Sequence, residues 1–295
     1  MIIVGLQGGL GNQLFQYAAG RALSEAWDLP LTLDTKWFDA VIGMPGVTPR
    51  TYALAPFGLD ARTQSVGLPI SYSGRIWRLI NPLSTLLGRM TSAPRVVQEQ
   101  SFRFAADAFG EKGPVWLSGY WQSWRYFDSI ASRLRTELAT PGTLSQQSEQ
   151  VLAQIRTASA AVCLHIRRGD YVTNPGAASF HGTCSVTYYE DALRSMHFDS
   201  EPTCFVFSDD LDWARENLRL PYPAVWVDAN GPDDAHQDLW LMAACRHFVI
   251  ANSSLSWWGA WLGCAPDKQV VAPKQWFTDA SRDTSDLLCP EWKQL

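Results

Sequence analysis

The stretch MIIVGLQGGLGNQLFQYAAGRALS, residues 1–24, is the strongest indication of fold in the amino-terminal half. A short apolar run meets a glycine cluster, and a helical pattern follows, which is typical of a buried strand turning tightly into a helix. A dinucleotide-binding loop would need a third glycine where the chain has Leu14, and Asp34 after the next predicted strand is commonplace. We therefore expect no dinucleotide here. Asn12 and Gln13 instead offer amides to a polar ligand.

Composition indicates a folded protein of ordinary type. The chain has 295 residues, of which 46% are hydrophobic, and its net charge of −5 gives no general attraction for nucleic acid. It contains neither a signal peptide pattern nor an apolar run long enough to span a membrane. We expect a cytoplasmic protein without an integral membrane segment, and leave open peripheral association with the inner membrane.

The six cysteines contain no C-x-x-C pair, which argues against a zinc ribbon and favours free thiols in a reducing compartment. The 14 tryptophans are many for this length. Most tryptophans pack in cores, although aromatic rings also stack on sugars.

The second half alternates short apolar runs with helical patterns. This alternation predicts a parallel sheet covered on both faces. The predicted strands are AVCLHIR (161–167), CFVFSDD (204–210), AVWVDAN (224–230), HFVIANSS (247–254) and QVVAPK (269–274).

The first half is less regular but also contains strand–helix–strand patterns. We expect two Rossmann-like αβ domains that face each other across a cleft, 1–150 and 151–295, with residues 140–150 as the linking stretch. Residues 40–95 are rich in Pro, Gly and Ser, and residues 73–90 within them read as an exposed helical insertion.

The motif HIRRGDY, residues 165–171, carries the most chemical information. Two arginines directly after a buried strand need an anion or carboxylates to match their charge. Because side chains alternate along a strand, Arg167 shares a face with His165 and Arg168 points away. We expect Arg167 to bind a phosphate through its guanidinium fork and Arg168 to pair with Asp170 or another acid. Two purely structural ion pairs are the alternative.

Two further motifs are expected at the same edge of the sheet. In HFVIANSSLSWW a helix begins near Ser253 or Ser254, so its first N–H groups can bind an anion, although an ordinary helix cap is the commoner explanation of any single serine. FSDD ends another strand with Asp209 and Asp210, whose carboxylates can read the amino edge of guanine. Asp210 and Asp212 also form a D-x-D pattern, which would suggest a metal-bound pyrophosphate but occurs often by chance.

Taken together, the motifs resemble glycosyltransferase family 11, the α-1,2-fucosyltransferases. The resemblance is carried in family order by GGLGNQLFQYAAGRAL (8–23), GYWQS (119–123), HIRRGDYV (165–172), HGTCSVTYY (181–189) and ANSSLSWWGAWL (251–262). It implies a GT-B fold and inverting transfer of L-fucose from GDP-β-L-fucose to the 2-hydroxyl of a terminal galactose, without metal or cofactor. The partners are then GDP-fucose and a galactose-terminated glycan.

The resemblance also assigns residues. On the donor side, 151–295, Arg167 would hold the β-phosphate, His165 and Asp210 or Asp209 would contact guanine, and Ser253 and Ser254 would contact the pyrophosphate. On the acceptor side, 1–150, Asn12 would approach the reacting sugar. The other acceptor-side residues are Gly11, Gln13, Tyr120, Trp121 and Gln122. The family often has glutamate after YWQS, where this chain has Trp124.

No residue stands out as general base. His181 and Asp170 are candidates, and a dissociative transition state needs only a weak base or none. The alternatives to this function are another sugar-nucleotide-dependent glycosyltransferase and a non-catalytic carbohydrate-binding protein.

Overall fold

The computed structural model describes residues 1–44, 48–66, 94–139 and 142–295. It divides into two compact units, Met1–Arg133 with Asp283–Leu287 and Leu134–Arg282 with Leu288–Leu295. The first boundary therefore lies before the predicted one at residue 150. The predicted insertion at 73–90 lies outside the described residues.

The predicted linking stretch at 140–150 instead contains the start of a helix, as far as residues 142–150 describe it. Ser145 caps the helix Gln146–Thr157, since its hydroxyl accepts from the backbone N of Ser148 at 3.1 Å. The backbone N of Ser145 also donates to Oε1 of Gln237 at 2.8 Å. These bonds join the stretch to the second unit.

The first unit is built on a parallel five-stranded sheet in the order β3-β2-β1-β5-β4. Apolar side chains of β1 and β2 are buried because helices cover the sheet. The strands are β1 (Ile2–Gly5), β2 (Leu31–Asp34), β3 (Arg62–Gln64), β4 (Arg95–Gln98) and β5 (Val115–Ser118). The helices are α1 (Leu10–Trp27), α2 (Lys36–Ala40) and α3 (Ala131–Ala139), the last of which spans the boundary between the units.

The second unit contains a parallel six-stranded sheet in the order β11-β10-β9-β6-β7-β8. Its strands are β6 (Ala161–Ile166), β7 (Thr203–Ser208), β8 (Ala224–Val227), β9 (His247–Val249), β10 (Val270–Ala272) and β11 (Lys293–Gln294). Its helices are α4 (Gln146–Thr157), α5 (Gly169–Thr173), α6 (Pro175–His181), α7 (Val186–Arg194), α8 (Leu211–Asn217), α9 (Ala235–Ala243) and α10 (Ser254–Leu262). All five strands predicted in this half are confirmed.

The sequence analysis missed the shorter elements. β3 is exposed along its length and β4 is half-buried at both ends, so neither shows an apolar run. Helices α5 and α6 have no fully buried residue, which removes the apolar periodicity that predicts a helix.

No helix among the described residues is long and apolar enough to cross a membrane. The six cysteines are free, as expected.

Candidate active site

Three neighbouring strands of the second sheet end at one edge, and polar segments follow each of them. β9, β6 and β7 lie side by side with β6 in the middle. Residues 167–170 follow β6, residues 209–210 follow β7, and residues 252–254 lead from β9 into α10. Because the strands are parallel, the structure brings these three predicted segments to the same carboxyl edge, where open α/β sheets bind ligands.

Arg167 lies at the centre of this edge and is held by two carboxylates. Its Nη2 is 2.5 Å from Oδ1 of Asp170, and its Nη1 is 2.9 Å from Oδ2 of Asp209. The side chain is 22% exposed. Burial lowers the pKa of the guanidinium, but the two carboxylates outweigh this effect and raise the pKa above its usual value. Arg167 is therefore charged and oriented by the protein itself.

Arg168 does not pair with Asp170, the first of its two expected partners. Its Nε donates to Oδ2 of Asp210 at 3.1 Å, and its guanidinium stacks on the ring of Trp213 at 3.7 Å from the centroid. Asp170 pairs with Arg167 instead, because the turn into α5 brings its carboxylate back to the residue three positions earlier. The expected pairing of Arg168 with Asp170 is thus wrong, and its other expected partner, another acid, is the observed one.

Gly169 makes this arrangement possible. A Cβ atom at this position would collide with the carboxylate of Asp209, so a glycine is needed where β7 brings that side chain against the turn. Asp209 also accepts from the backbone N of Arg168 at 2.8 Å. The two arginines and the three aspartates at positions 170, 209 and 210 sum to one negative formal charge.

His165 lies inside the sheet rather than on its rim. It is 4% exposed, and its Nδ1 has no hydrogen-bond partner among the described residues. Burial and the charge of Arg167 lower its pKa to about 3, so the ring is neutral at pH 7. In this conformation His165 offers almost no surface to a nucleobase such as guanine.

His181 belongs to a stacked cluster beside Arg167. Its ring lies parallel to that of Tyr171, with centroids 4.4 Å apart, and the guanidinium of Arg167 lies 5.2 Å from the centroid of Tyr171. Burial is the main cause that lowers the pKa of His181 to about 4; Asp170 opposes the shift and Arg167 adds to it. Sequence reasoning gave no role to Tyr171, although it lies inside the quoted HIRRGDY motif.

Asn252 joins this cluster to the end of β9. Its Nδ2 donates to the backbone O of His181 at 2.8 Å and to that of Trp276 at 3.2 Å. The hydroxyl of Tyr171 donates to the backbone O of Asn252 at 3.4 Å. The buried amide thus fixes the end of α6 against the start of α10.

Helix α10 begins directly after this junction. Ser253 is its N-cap in extended conformation, but its hydroxyl makes no capping hydrogen bond. Ser253 is buried and Ser254 is half-buried. Buried Trp257 and Trp258 anchor the helix, so its first turn is held at the carboxyl edge of the sheet.

The D-x-D carboxylates do not converge on one point. Asp210 accepts from the backbone N of Trp213, capping α8, and pairs with Arg168. Asp212 is 93% exposed and pairs with Arg215. No group of three or more His, Cys, Asp or Glu suited to a metal occurs in residues 1–44, 48–66, 94–139 and 142–295.

In the first unit the predicted acceptor-side amides behave differently from each other. Gln13 is fully buried: its Nε2 donates to the backbone O of Gly8 and Thr51, and its Oε1 accepts from the backbone N of Ala53. Asn12 is half-buried, and its Oδ1 accepts from Nε2 of Gln122 at 2.8 Å. Gln13 therefore has a scaffold role, because its amide holds backbone groups together. Asn12 is exposed enough for its amide to contact a ligand.

The loop after β5 contains the remaining predicted residues. Trp121 is 1% exposed and packs in the core, so it presents no ring face, whereas Tyr120 is half-buried. Gly11, in the first turn of α1, is buried. Sequence reasoning missed Glu99, whose carboxylate lies against this loop, because the short β4 before it carries no strand signal.

Residues 95–295 match the model of glycosyl transferase family 11. The chain belongs to this family. The family 11 chain is therefore a glycosyltransferase, as the motifs predicted.

Two relatives are similar in sequence to this family 11 protein. It is 33% identical over 309 residues to the alpha-1,2-colitosyltransferase of Escherichia coli, covering 100% of this chain and 99% of that one. It is 26% identical over 156 residues to galactoside alpha-(1,2)-fucosyltransferase 1 of Saimiri sciureus, covering 50% of this chain and 42% of the relative.

A solved structure shares the fold of the family 11 chain. The mutant of Arabidopsis thaliana FUT1 in complex with GDP superposes with a TM-score of 0.51 at 11% identity, over 95% of this chain and 72% of that chain. The expected GT-B class, with two Rossmann-like α/β domains, is confirmed.

Proposed function

We propose that this protein is an inverting α-1,2-fucosyltransferase that moves L-fucose from GDP-β-L-fucose to the 2-hydroxyl of a terminal galactose, without a metal. Family membership and the relatives named for alpha-1,2 transfer support the linkage. The observation that carries the proposal is the preoriented guanidinium of Arg167 at the sheet edge shared with the start of α10. A departing diphosphate needs this kind of donor set.

The second unit would bind the donor. Arg167 would hold the β-phosphate, and the N–H groups at Ser253 and Ser254 would bind the pyrophosphate. Asp209 would contact guanine together with, or in place of, Asp210, and His165 would do so only after the edge rearranges. The net negative charge of the arginine–aspartate cluster means that a diphosphate competes with carboxylates for Arg167. We therefore expect nucleotide binding to shift the partners of this side chain.

The rate would depend mainly on stabilising the leaving group. Negative charge grows on the β-phosphate while the fucosyl carbon gains oxocarbenium character, and Arg167 faces that charge from a fixed position. Asp170 is occupied by Arg167, and a His181 pKa of about 4 makes its neutral ring a weak base. The acceptor proton would then leave late, to a weak base or to water.

The first unit would bind the galactose-terminated acceptor. Asn12, in the first turn of α1, accepts a hydrogen bond from Gln122 in the loop that follows β5, and this bond orients both amides. Half-buried Asn12 would bond a sugar hydroxyl, and Gln122, which is only 7% exposed, would orient it.

GDP-colitose is the second candidate donor, because the alpha-1,2-colitosyltransferase is similar over the whole chain. Colitose lacks the 3-hydroxyl of fucose. A site that hydrogen-bonds this hydroxyl rejects the deoxy sugar by about 10⁴-fold or more, whereas an apolar wall accepts both. Rates measured with the two donors in direct competition therefore distinguish a site that hydrogen-bonds this hydroxyl from one with an apolar wall.

The test is transfer from GDP-fucose to a panel of galactosides, with NMR analysis of the linkage and parallel reactions in EDTA. We expect an α-1,2-linked fucose and an unchanged rate in EDTA. Transfer from GDP-colitose alone would make GDP-colitose the donor in place of GDP-fucose. Binding of UDP in preference to GDP in a thermal-shift assay would mean that the donor is a UDP-sugar. Loss of activity in EDTA with recovery in manganese would restore the D-x-D hypothesis. Failure to bind any nucleotide would favour a carbohydrate-binding protein.

A further inference from the structure

Glu99 lies where the first sheet meets the loop 119–122. It directly follows β4, and its backbone N donates to the backbone O of Ser118, the last residue of β5, at 2.8 Å. Its Oε2 accepts from the backbone N of Tyr120 at 2.7 Å, and the backbone N–H groups of Trp121 and Gln122 also lie close enough to lower the pKa of the carboxyl. Three successive N–H groups thus converge on one carboxylate, as in an anion-binding nest.

The backbone of the loop is shaped around this carboxylate. Gly119 has φ +152°, and a Cβ atom there would collide with the side chain of Glu99. Trp121 has φ +55°, in the left-handed region that a bulky residue rarely adopts. Such a conformation costs about 1–3 kcal/mol and persists only where its surroundings impose it. The carboxylate of Glu99 and the burial of the Trp121 ring impose it here.

Hydrogen bonds connect the loop to the first two turns of α1. Gln122 donates from Nε2 to Oδ1 of Asn12 at 2.8 Å. Gln16 donates from Nε2 to the backbone O of Gly119 at 3.1 Å, and its Oε1 accepts from the backbone N of Gln7. A shift of the loop would therefore move the side chains of Asn12 and Gln122 together.

We propose that Glu99 is a positioning residue for the acceptor: its carboxylate holds loop 119–122 and so sets Gln122, which in turn orients Asn12, the amide that contacts the acceptor sugar. This inference rests on the proposed function, and it assigns a role to a residue outside every motif of the sequence. Glu99 would act through the loop and would not touch the reacting atoms.

The protonation of Glu99 gives this role a signature. Burial raises its pKa to about 7 against the opposing effect of the three backbone N–H groups. The charged or titratable groups that face it are Tyr120 on the loop and, around an adjoining cavity of about 220 Å³, Arg103, Asp107 and Tyr126. Below pH 7 the protonated carboxyl loses acceptor capacity, and the loop loses part of its support.

The test compares E99Q with wild type and with E111Q, a matched change at an exposed glutamate of the same unit. We expect E99Q to raise the acceptor KM about tenfold while kcat and the KM for GDP-fucose stay within about twofold. In wild type the acceptor KM should rise below pH 7 as one group protonates, and E99Q should lack this dependence. E111Q should match wild type in all respects.

Two results would overturn the inference. One is an E99Q variant whose acceptor KM is unchanged, or whose donor KM rises equally. The other is a wild-type acceptor KM without an inflection between about pH 6 and 8, which decides the question even if E99Q does not fold. If wild type transfers no sugar to any galactoside, the proposed function fails and the inference falls with it; if wild type transfers and E99Q is indistinguishable, the inference alone fails.

Discussion

Replacing Arg167 by lysine separates charge from geometry at the proposed donor site. The guanidinium contacts Asp170 and Asp209 through two different nitrogens, at 2.5 and 2.9 Å. A lysine has one ammonium on a flexible stem, so it cannot hold both carboxylates and also present a fork to a diphosphate. The charge stays, while the preorganised geometry is lost.

The expected loss follows from how fixed donors act. Removing one preorganised donor to a developing oxyanion lowers the rate by about 10²- to 10³-fold, or roughly 3 to 4 kcal/mol. Because this interaction strengthens as the leaving group gains charge, kcat and kcat/KM should fall together with KM for GDP-fucose nearly unchanged.

The assay is initial-rate measurement of GDP release with saturating acceptor, for wild type, R167K and R194K. Arg194 lies on α7, is 63% exposed and also pairs with two carboxylates, Glu190 and Asp191. R194K therefore repeats the same chemical change away from the site and should keep its rate within about twofold. If R167K retains more than about a third of the wild-type kcat while binding GDP normally, Arg167 is a structural residue and the mechanism proposed here is wrong.

Three further changes probe other parts of the molecule. His165 has a pKa of about 3 in the folded protein and an ordinary value in the unfolded chain. The unfolded state therefore binds more protons, and the free energy of unfolding falls as the pH drops below about 6.5. Between there and about pH 5 this residue should lower the free energy of unfolding by about 2 kcal/mol, and H165L should remove that contribution from the pH dependence of urea unfolding. Q13M leaves the backbone groups of Gly8, Thr51 and Ala53 without their side-chain partner and should lower the free energy of unfolding by about 2–3 kcal/mol, with unchanged GDP affinity in calorimetry; an unaltered stability would contradict the scaffold role. If Asp209 reads guanine, wild type should bind GDP about tenfold more tightly than inosine diphosphate and D209N should lose the preference; equal preferences in both proteins would remove this residue from base recognition.

Most of the proposed donor side was predictable because its signals are local. The apolar run 161–166 is long enough to predict a buried strand, and the two arginines directly after it can only lie at its carboxyl end. The same holds for Asp209 after β7 and for Ser253 after β9. Parallel strands then place these segments at one edge without further information.

Pairing choices were not predictable in the same way. The expectation that Arg168 pairs with Asp170 used strand alternation, but β6 ends at Ile166 and the chain turns into α5, so the alternation no longer applies. Gln13 and Asn12 are adjacent and chemically alike, yet the first is fully buried and the second is half-buried. Which of two neighbouring amides is buried depends on loops far away in the chain.

The amino-acid sequence by itself determined the two α/β halves, the family and the residues at the strand ends, because periodicity and motif order are properties of consecutive residues. The tertiary structure alone decided that carboxylates orient Arg167, that burial keeps His165 and His181 neutral, and that Glu99 supports the loop after β5. Each of these depends on side chains from separate segments packing together, where burial and distances of a few ångströms determine charge and hydrogen bonding.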